Sequence, residues 1–103
     1  MSRIEYAPDA LAELRGAIAF YEGRQPGLGL DFLGEVEVVV AHAERSPTRF
    51  TRHRASGRRK ARPNRFPYTV YFDEIPNGIW IAAVRRDGQN DSWIDRQPPT
   101  DPA

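Results

Sequence analysis

The chain has 103 residues, 40% of them apolar and eleven of them aromatic, enough for one packed core and too few for two. It has no cysteine, which excludes disulfides, thiolate metal ligands and a cysteine nucleophile, and is the usage expected of a protein in a reducing cytoplasm. The net charge of +1 rules out a uniformly basic or acidic molecule. The start, MSRIEYAPDALAELRG, lacks the basic and then apolar run of an export signal, and no apolar run approaches a membrane span. A cytoplasmic protein without a membrane partner is therefore expected.

Residues 3–6, RIEY, read as a short strand that stops at Pro8, a residue suited to the first turn of a helix. Leu11, Leu14, Ile18 and Tyr21 then recur at spacings of three and four, with Glu13, Arg15 and Glu22 off the stripe. This predicts an amphipathic helix of about four turns. GRQPG, residues 23–27, ends it. A second stripe, Leu33, Val36, Val40 and Ala43, widened by Phe32 and Val39, predicts a helix from Leu28 to Arg45. The neighbouring valines 38–40 favour strand, but the run is too long for one and keeps the 3.6-residue period. The short link makes the two helices an antiparallel hairpin.

After Ser46-Pro47 the period changes to two. Phe66, Tyr68, Val70 and Phe72 alternate with Pro67, Thr69, Tyr71 and Asp73, and a second alternating run covers residues 79–86. Between them Asn77-Gly78 suits a tight turn, so a β-hairpin is predicted. GRRKAR, residues 57–62, adds a charged edge strand. The expected fold class is α+β in the order β-α-α-β-β-β, a helical hairpin on a small twisted antiparallel sheet. NDSWIDR, residues 90–96, adds a short helical turn with Trp93 and Ile94 folded back on the body. One domain spans residues 1–96, and residues 97–103, QPPTDPA, form a frayed tail.

The near-neutral total hides a sharp segregation of charge. Residues 1–45 hold four basic and eight acidic side chains, residues 46–72 eight basic and none acidic, and residues 73–103 three basic and six acidic. For Arg58, Arg59, Lys60, Arg62 and Arg65, two readings stand level: a solvated loop, or a patch for an anionic partner. Arg85 and Arg86, at the end of the last strand, extend the patch. Arginine forks suit phosphate and carboxylate alike. Other chemistry has little support. His42 and His53 lie in different elements without a partner at helical spacing, so no metal site is expected. No Gly-rich phosphate loop follows a strand, and no cofactor is implied. Glu35 with Glu37, and Asp73 with Glu74, point to opposite sides of their elements.

Four stretches together resemble the RelE/ParE superfamily of toxins from type II toxin–antitoxin systems: YAPDALAELRGAIAFYE, PGLGLDFLGEVE, SPTRFTRH and RRKARPNRFPYTVYFDEIPNGIWIAAVRRD. The ordered set covers about residues 3–95. The resemblance implies a helical hairpin packed on an antiparallel sheet, and a cognate antitoxin as partner. It offers two activities. RelE-type toxins cut messenger RNA on the ribosome with basic side chains and often a C-terminal Tyr or His, whereas ParE-type toxins have the longer hairpin and poison DNA gyrase. The long hairpin and the Arg-Phe-Pro-Tyr strand start are closer to the ParE side. Where many relatives carry a His after the last strand, this chain has Arg86, and no His, Tyr or Lys follows Tyr71. The expectation is thus a ParE-like gyrase inhibitor that acts by binding, with Arg58, Arg59, Lys60, Arg62, Arg65, Arg85 and Arg86 toward an anionic partner and Trp93 as a target contact. The alternatives are a RelE-like nuclease built on His53, Arg62 and Arg85, with the loop folding His53 over the two arginines, and an inactive relative that only binds antitoxin.

Overall fold

The computed structural model describes residues 3–99. Of the expected tail, residues 100–103 lie outside the described residues. Strand β1 (Arg3–Tyr6) leads into helices α1 (Pro8–Arg24) and α2 (Leu28–Arg45), and three strands follow, β2 (Arg59–Ala61), β3 (Tyr68–Ile75) and β4 (Gly78–Arg86). The order β-α-α-β-β-β is as the sequence predicts. Among the described residues, no helix is long and apolar enough to cross a membrane.

Both helices start without a side-chain cap from their own N-cap residue. In α1, Pro8 takes the position where a missing donor costs nothing, and Asp9 faces the positive end of the helix dipole. For α2 the anion comes from the other helix. The Glu22 carboxylate accepts from the backbone N–H groups of Gly27 and Gly29 at 2.9 and 3.0 Å, so the last turn of α1 caps the first turn of α2 and sets the hairpin angle. Gly29 is required there, because a Cβ would stand 2.7 Å from the Ile18 carbonyl oxygen.

The strand order is β1-β4-β3-β2. The β2–β3–β4 portion is antiparallel as expected, but β1 pairs in parallel with β4, so the sheet is mixed rather than purely antiparallel. The helical hairpin supplies the long crossover that parallel pairing needs. The tight turn takes a positive φ only at Asn77 (64°), while Gly78 is needed for a different reason. Its partner strand lies so close that a Cβ would fall 1.9 Å from the Arg3 carbonyl oxygen. In β4, Ala83 pairs with Tyr71 and Ile81 with Phe72, which leaves Ala82 as a bulge.

One face of the sheet carries Tyr68, Val70, Phe72, Ile79, Ile81 and Val84 against Leu14, Phe32, Val36 and Val40 of the hairpin. Phe32 lies 4.9 Å from Tyr68 and 5.1 Å from Phe66, ring centre to ring centre, and Tyr21 closes the cluster 4.8 Å from Phe66. The opposite face is divided. Residues 90–96 lie against part of it and bury Trp93, stacked 4.1 Å from Tyr71, as the fold-back of the sequence reading requires. With a layer on each side, β4 is buried continuously from Ile79 to Val84 rather than on alternate residues.

Candidate functional site

The basic stretch is folded against the acidic flanks of its own chain. Arg58 donates through Nε to Asp73 at 2.9 Å and through its two terminal nitrogens to the carbonyls of Ile94 and Arg96. Arg59 reaches Glu74 at 3.2 Å and the Phe50 carbonyl at 2.9 Å. Arg62 grips both oxygens of Asp87, at 2.9 and 3.0 Å, and Arg65 pairs with Glu35. These forks hold both carboxyls below their ordinary range, Asp87 through Arg62 and Glu35 through Arg65. The solvated reading therefore fails for Arg58, which is 6% exposed and lies over Trp80, its guanidinium 5.6 Å from the ring centre. Pleating explains the contrast along β2. Arg58 and Lys60 point to the side opposite the hairpin, where residues 90–96 cover Arg58 and leave Lys60 exposed.

What remains open is a cleft of about 300 Å³ on the uncovered half of that face. Lys60, Arg62, Thr69, Tyr71, Arg85 and Arg86 line it, with Asp87 and Asp91 at its acidic margin. Strand register brings the groups together, since Lys60 pairs with Tyr71 across β2–β3 and Thr69 with Arg85 across β3–β4. Among the described residues, neither Lys60 nor Arg86 makes an ion pair through its side chain. Burial pushes the Tyr71 hydroxyl above the ordinary tyrosine value, which keeps its proton on. Thr69 accepts from Arg62 at 2.8 Å. The cleft is thus an anion-accepting surface with a phenolic donor in its floor.

Glu13 holds Arg85 in place from α1. Beyond Ile81 the edge of β4 has no β1 neighbour, and Glu13 takes over by accepting from the Val84 N–H at 3.0 Å. The same carboxylate accepts from Arg85 at 2.8 Å and in a fork from Arg96 at 3.0 and 2.8 Å. Arg96 also donates to the Ala82 carbonyl at 2.9 Å, so it completes the bulged edge and anchors the C-terminal segment. Burial opposes ionisation of Glu13, but the bonds from Arg96, Val84 and Arg85 outweigh it and hold the carboxyl below its usual range. The Nε of Arg85 is buried without an acceptor among the described residues.

Several sequence expectations meet this geometry differently. Arg62, Arg85 and Lys60 do converge on one cleft, and Arg86 reaches only its rim, since its place opposite Tyr68 turns its side chain to the hairpin side, whereas Arg58, Arg59 and Arg65 are held elsewhere by internal partners. Trp93 is 1% exposed and presents no contact surface, because its indole fills the space against Tyr71 and His53. His53 is not folded over Arg62 and Arg85. Its ring packs 5.0 Å from Tyr71 and 5.4 Å from Trp93, and its Nδ1 is bonded to the Ser56 hydroxyl at 2.9 Å. Two members of the site escaped the sequence reading. Tyr71 was legible as a residue on the Thr69–Asp73 side of β3, away from the core, but Glu13 had no local signal, being 71 residues from Val84. Among the described residues, no cluster of His, Asp and Glu could hold a metal ion. A comparison with protein-family models finds none that matches the chain, and a search of curated proteins finds no match either.

Proposed function

We propose that the chain is the toxin of a type II toxin–antitoxin pair, ParE-like, which inhibits DNA gyrase by binding and is neutralised by a cognate antitoxin. The motif resemblance supplies the class. The observation that carries binding over RNA cutting is the state of the proton-transfer groups near the cleft. Cutting through a 2′-hydroxyl needs one group to take a proton and another to return one. Asp87 is held ionised in the Arg62 fork and is a poor base, and His53 packs on Tyr71 and Trp93 rather than lining the cleft. Lys60, in the cleft, is left to meet an anionic surface, with Arg86 at the rim.

A nuclease is the second reading, and one feature favours it. Tyr71 keeps its proton within a cleft that also holds Lys60, Arg62 and Arg85, an arrangement suited to an acid beside a phosphate. Two assays separate the readings. The purified protein should trap gyrase–DNA cleavage complexes while ribosome-bound message stays whole, and His53→Ala and Tyr71→Phe should both still arrest growth. Message cut at the ribosome, with cutting lost in Tyr71→Phe, overturns the proposal in favour of the nuclease.

A further inference from the structure

Arg86 projects to the hairpin side of the sheet, because it stands opposite Tyr68 in the β3–β4 register and Tyr68 faces the helices. The two residues border a pocket of about 230 Å³ between α1 and the end of β4. The sequence of α1 makes the hollow. Glu13, Gly16, Ala17 and Phe20 recur at i, i+3, i+4 and i+7, which is one face of a helix, with the two small residues in the middle and the two large ones at the ends. A Cβ at Gly16 would meet nothing within 4 Å, so the space beside it is open. Phe20 is 44% exposed, off the core stripe of Leu11, Leu14, Ile18 and Tyr21, and its ring walls one end.

The polar groups of this pocket are unspent. Tyr68 is 7% exposed, yet its hydroxyl has no hydrogen-bond partner among the described residues, whereas a buried tyrosine hydroxyl normally finds one. Burial pushes that hydroxyl above its ordinary value while Arg86 pulls the other way, so the phenol keeps its proton within the field of the guanidinium. Arg86 makes no ion pair among the described residues, and the carboxylate on the same wall, Glu13, is already engaged by Arg85 and Arg96. Gln89 accepts from the Arg86 backbone N–H through Oε1 at 2.7 Å, which leaves its side-chain amide nitrogen as a further donor.

We propose that this pocket binds a small aromatic carboxylate, with the carboxylate on Arg86 and the Tyr68 hydroxyl and the ring against Phe20, Ala17 and Val84. Charge, shape and size fix the class. One unpaired cation answers one negative charge, and the ionised Glu13 opposes a second, so a carboxylate suits the site better than a phosphate dianion. The guanidinium fork matches the two oxygens of a carboxylate. The half-exposed ring of Phe20 offers an aromatic body an edge or a face. The volume lies below the ~300–1,000 Å³ of drug-sized pockets, which limits the occupant to a molecule of one ring.

The test titrates the isotope-labelled full chain with benzoate and follows the backbone amides by NMR. Benzamide, the neutral isostere, and acetate, the carboxylate without a ring, are the comparisons. Benzoate should shift the amides of residues 16–20 and 84–89, and both comparisons should bind about tenfold more weakly or worse. Arg86→Gln should weaken benzoate by about tenfold or more, and Tyr68→Phe by about threefold or more. Gly16→Leu should abolish binding by filling the hollow, and because glycine disfavours a helix interior, thermal melts should find this variant at least as stable as the parent. Lys60→Ala, in the cleft, should change the affinity by less than about twofold. Benzamide or acetate binding as well as benzoate, indifference to Arg86→Gln, Tyr68→Phe or Gly16→Leu, or shifts centred on Lys60 and Tyr71 overturns the proposal. If Tyr68→Phe loses its fold, Arg86→Gln and Gly16→Leu still decide. None of these measurements involves gyrase, RNA or an antitoxin, so this inference and the proposed function fail separately.

Discussion

Glu13 offers the sharpest test of the fold's wiring, because one carboxylate serves a strand edge and two guanidinium groups at once. Glu13→Ala deletes the bonds from the Val84 N–H, Arg85 and both terminal nitrogens of Arg96. It leaves Arg85 and Arg96, whose side chains are 14% and 19% exposed, without their counter-charge. Breaking a buried pair from one side costs ~3–5 kcal/mol. Residual hydration and Asp9, 3.8 Å from Arg96, favour the low end, about 3 kcal/mol. That is a large part of the ~5–15 kcal/mol that holds such a domain together. For a chain of this size it lowers Tm by roughly 12–24 °C. Glu13→Gln keeps an acceptor for Val84 but loses the charge, so it should fall in between, at about 1–2 kcal/mol. Urea unfolding followed by tryptophan fluorescence measures both, and a double-mutant cycle with Arg96→Ala should return a coupling of about 1–3 kcal/mol. A Glu13→Ala variant within about 0.5 kcal/mol of the parent would refute the reasoning, because the edge and both arginines would then be satisfied without it.

Two further outcomes follow from the same network. Arg58→Ala should cost about 3–4 kcal/mol, since it strands Asp73 and frees two carbonyls of the C-terminal segment, and near-UV circular dichroism should lose the signal of a fixed Trp93. Exposed Arg54→Ala, four residues away, is the control and should stay within about 0.5 kcal/mol. The pH dependence has a definite sign. A carboxyl held below its unfolded value, as Glu13 is, contributes stability that is fully present above the unfolded value of about 4.3 and is lost as pH falls through the depressed folded value. The stability difference between the parent and Glu13→Gln should therefore be flat from about pH 7 to pH 5 and shrink below about pH 4 in unfolding curves.

The helices were legible because their stripes are local: Leu14, Ala17, Phe32, Val36 and Val40 declare a period that needs no knowledge of the rest of the chain. The β3–β4 hairpin was legible for the same reason, through alternation on either side of Asn77-Gly78. Features set by distant segments were not. Nothing within Arg3–Tyr6 names its neighbour, so the parallel pairing with β4 emerges only once the hairpin has carried the chain across. Arg58 and Lys60 look equivalent in GRRKAR and face the same side. Their difference, one buried and one exposed, depends on the path of a segment more than thirty residues downstream. Trp93 could be placed against the body from its apolar surroundings, but the same burial removes it as a contact for a target. The cleft was half legible: its cations stood out as a run, whereas their sorting into paired and free groups is tertiary.

That sorting changes what the basic stretch offers to a polyanion. Read as a run of charge, residues 50–72 present seven cations. In the fold, Arg58, Arg59, Arg62 and Arg65 already face carboxylates from the flanking segments, and Lys60 in the cleft and Arg86 at its rim stand free of ion pairs among the described residues. A polyanion bound at the cleft through two cations releases few counterions. The slope of log affinity against log salt is about −0.9 per neutralised phosphate on duplex DNA, which gives about −2 for two contacts and about −6 for seven. Measuring the affinity for a short duplex between about 50 and 200 mM salt decides between them, and the shallow slope predicts a loss of roughly tenfold or somewhat more over that range. Lys60→Ala should remove about one unit of slope, and Arg59→Ala should leave it unchanged. A slope near −6 would mean that the internal pairs open to the ligand, and the view of these arginines as counter-charges for the chain's own flanks would have to be abandoned.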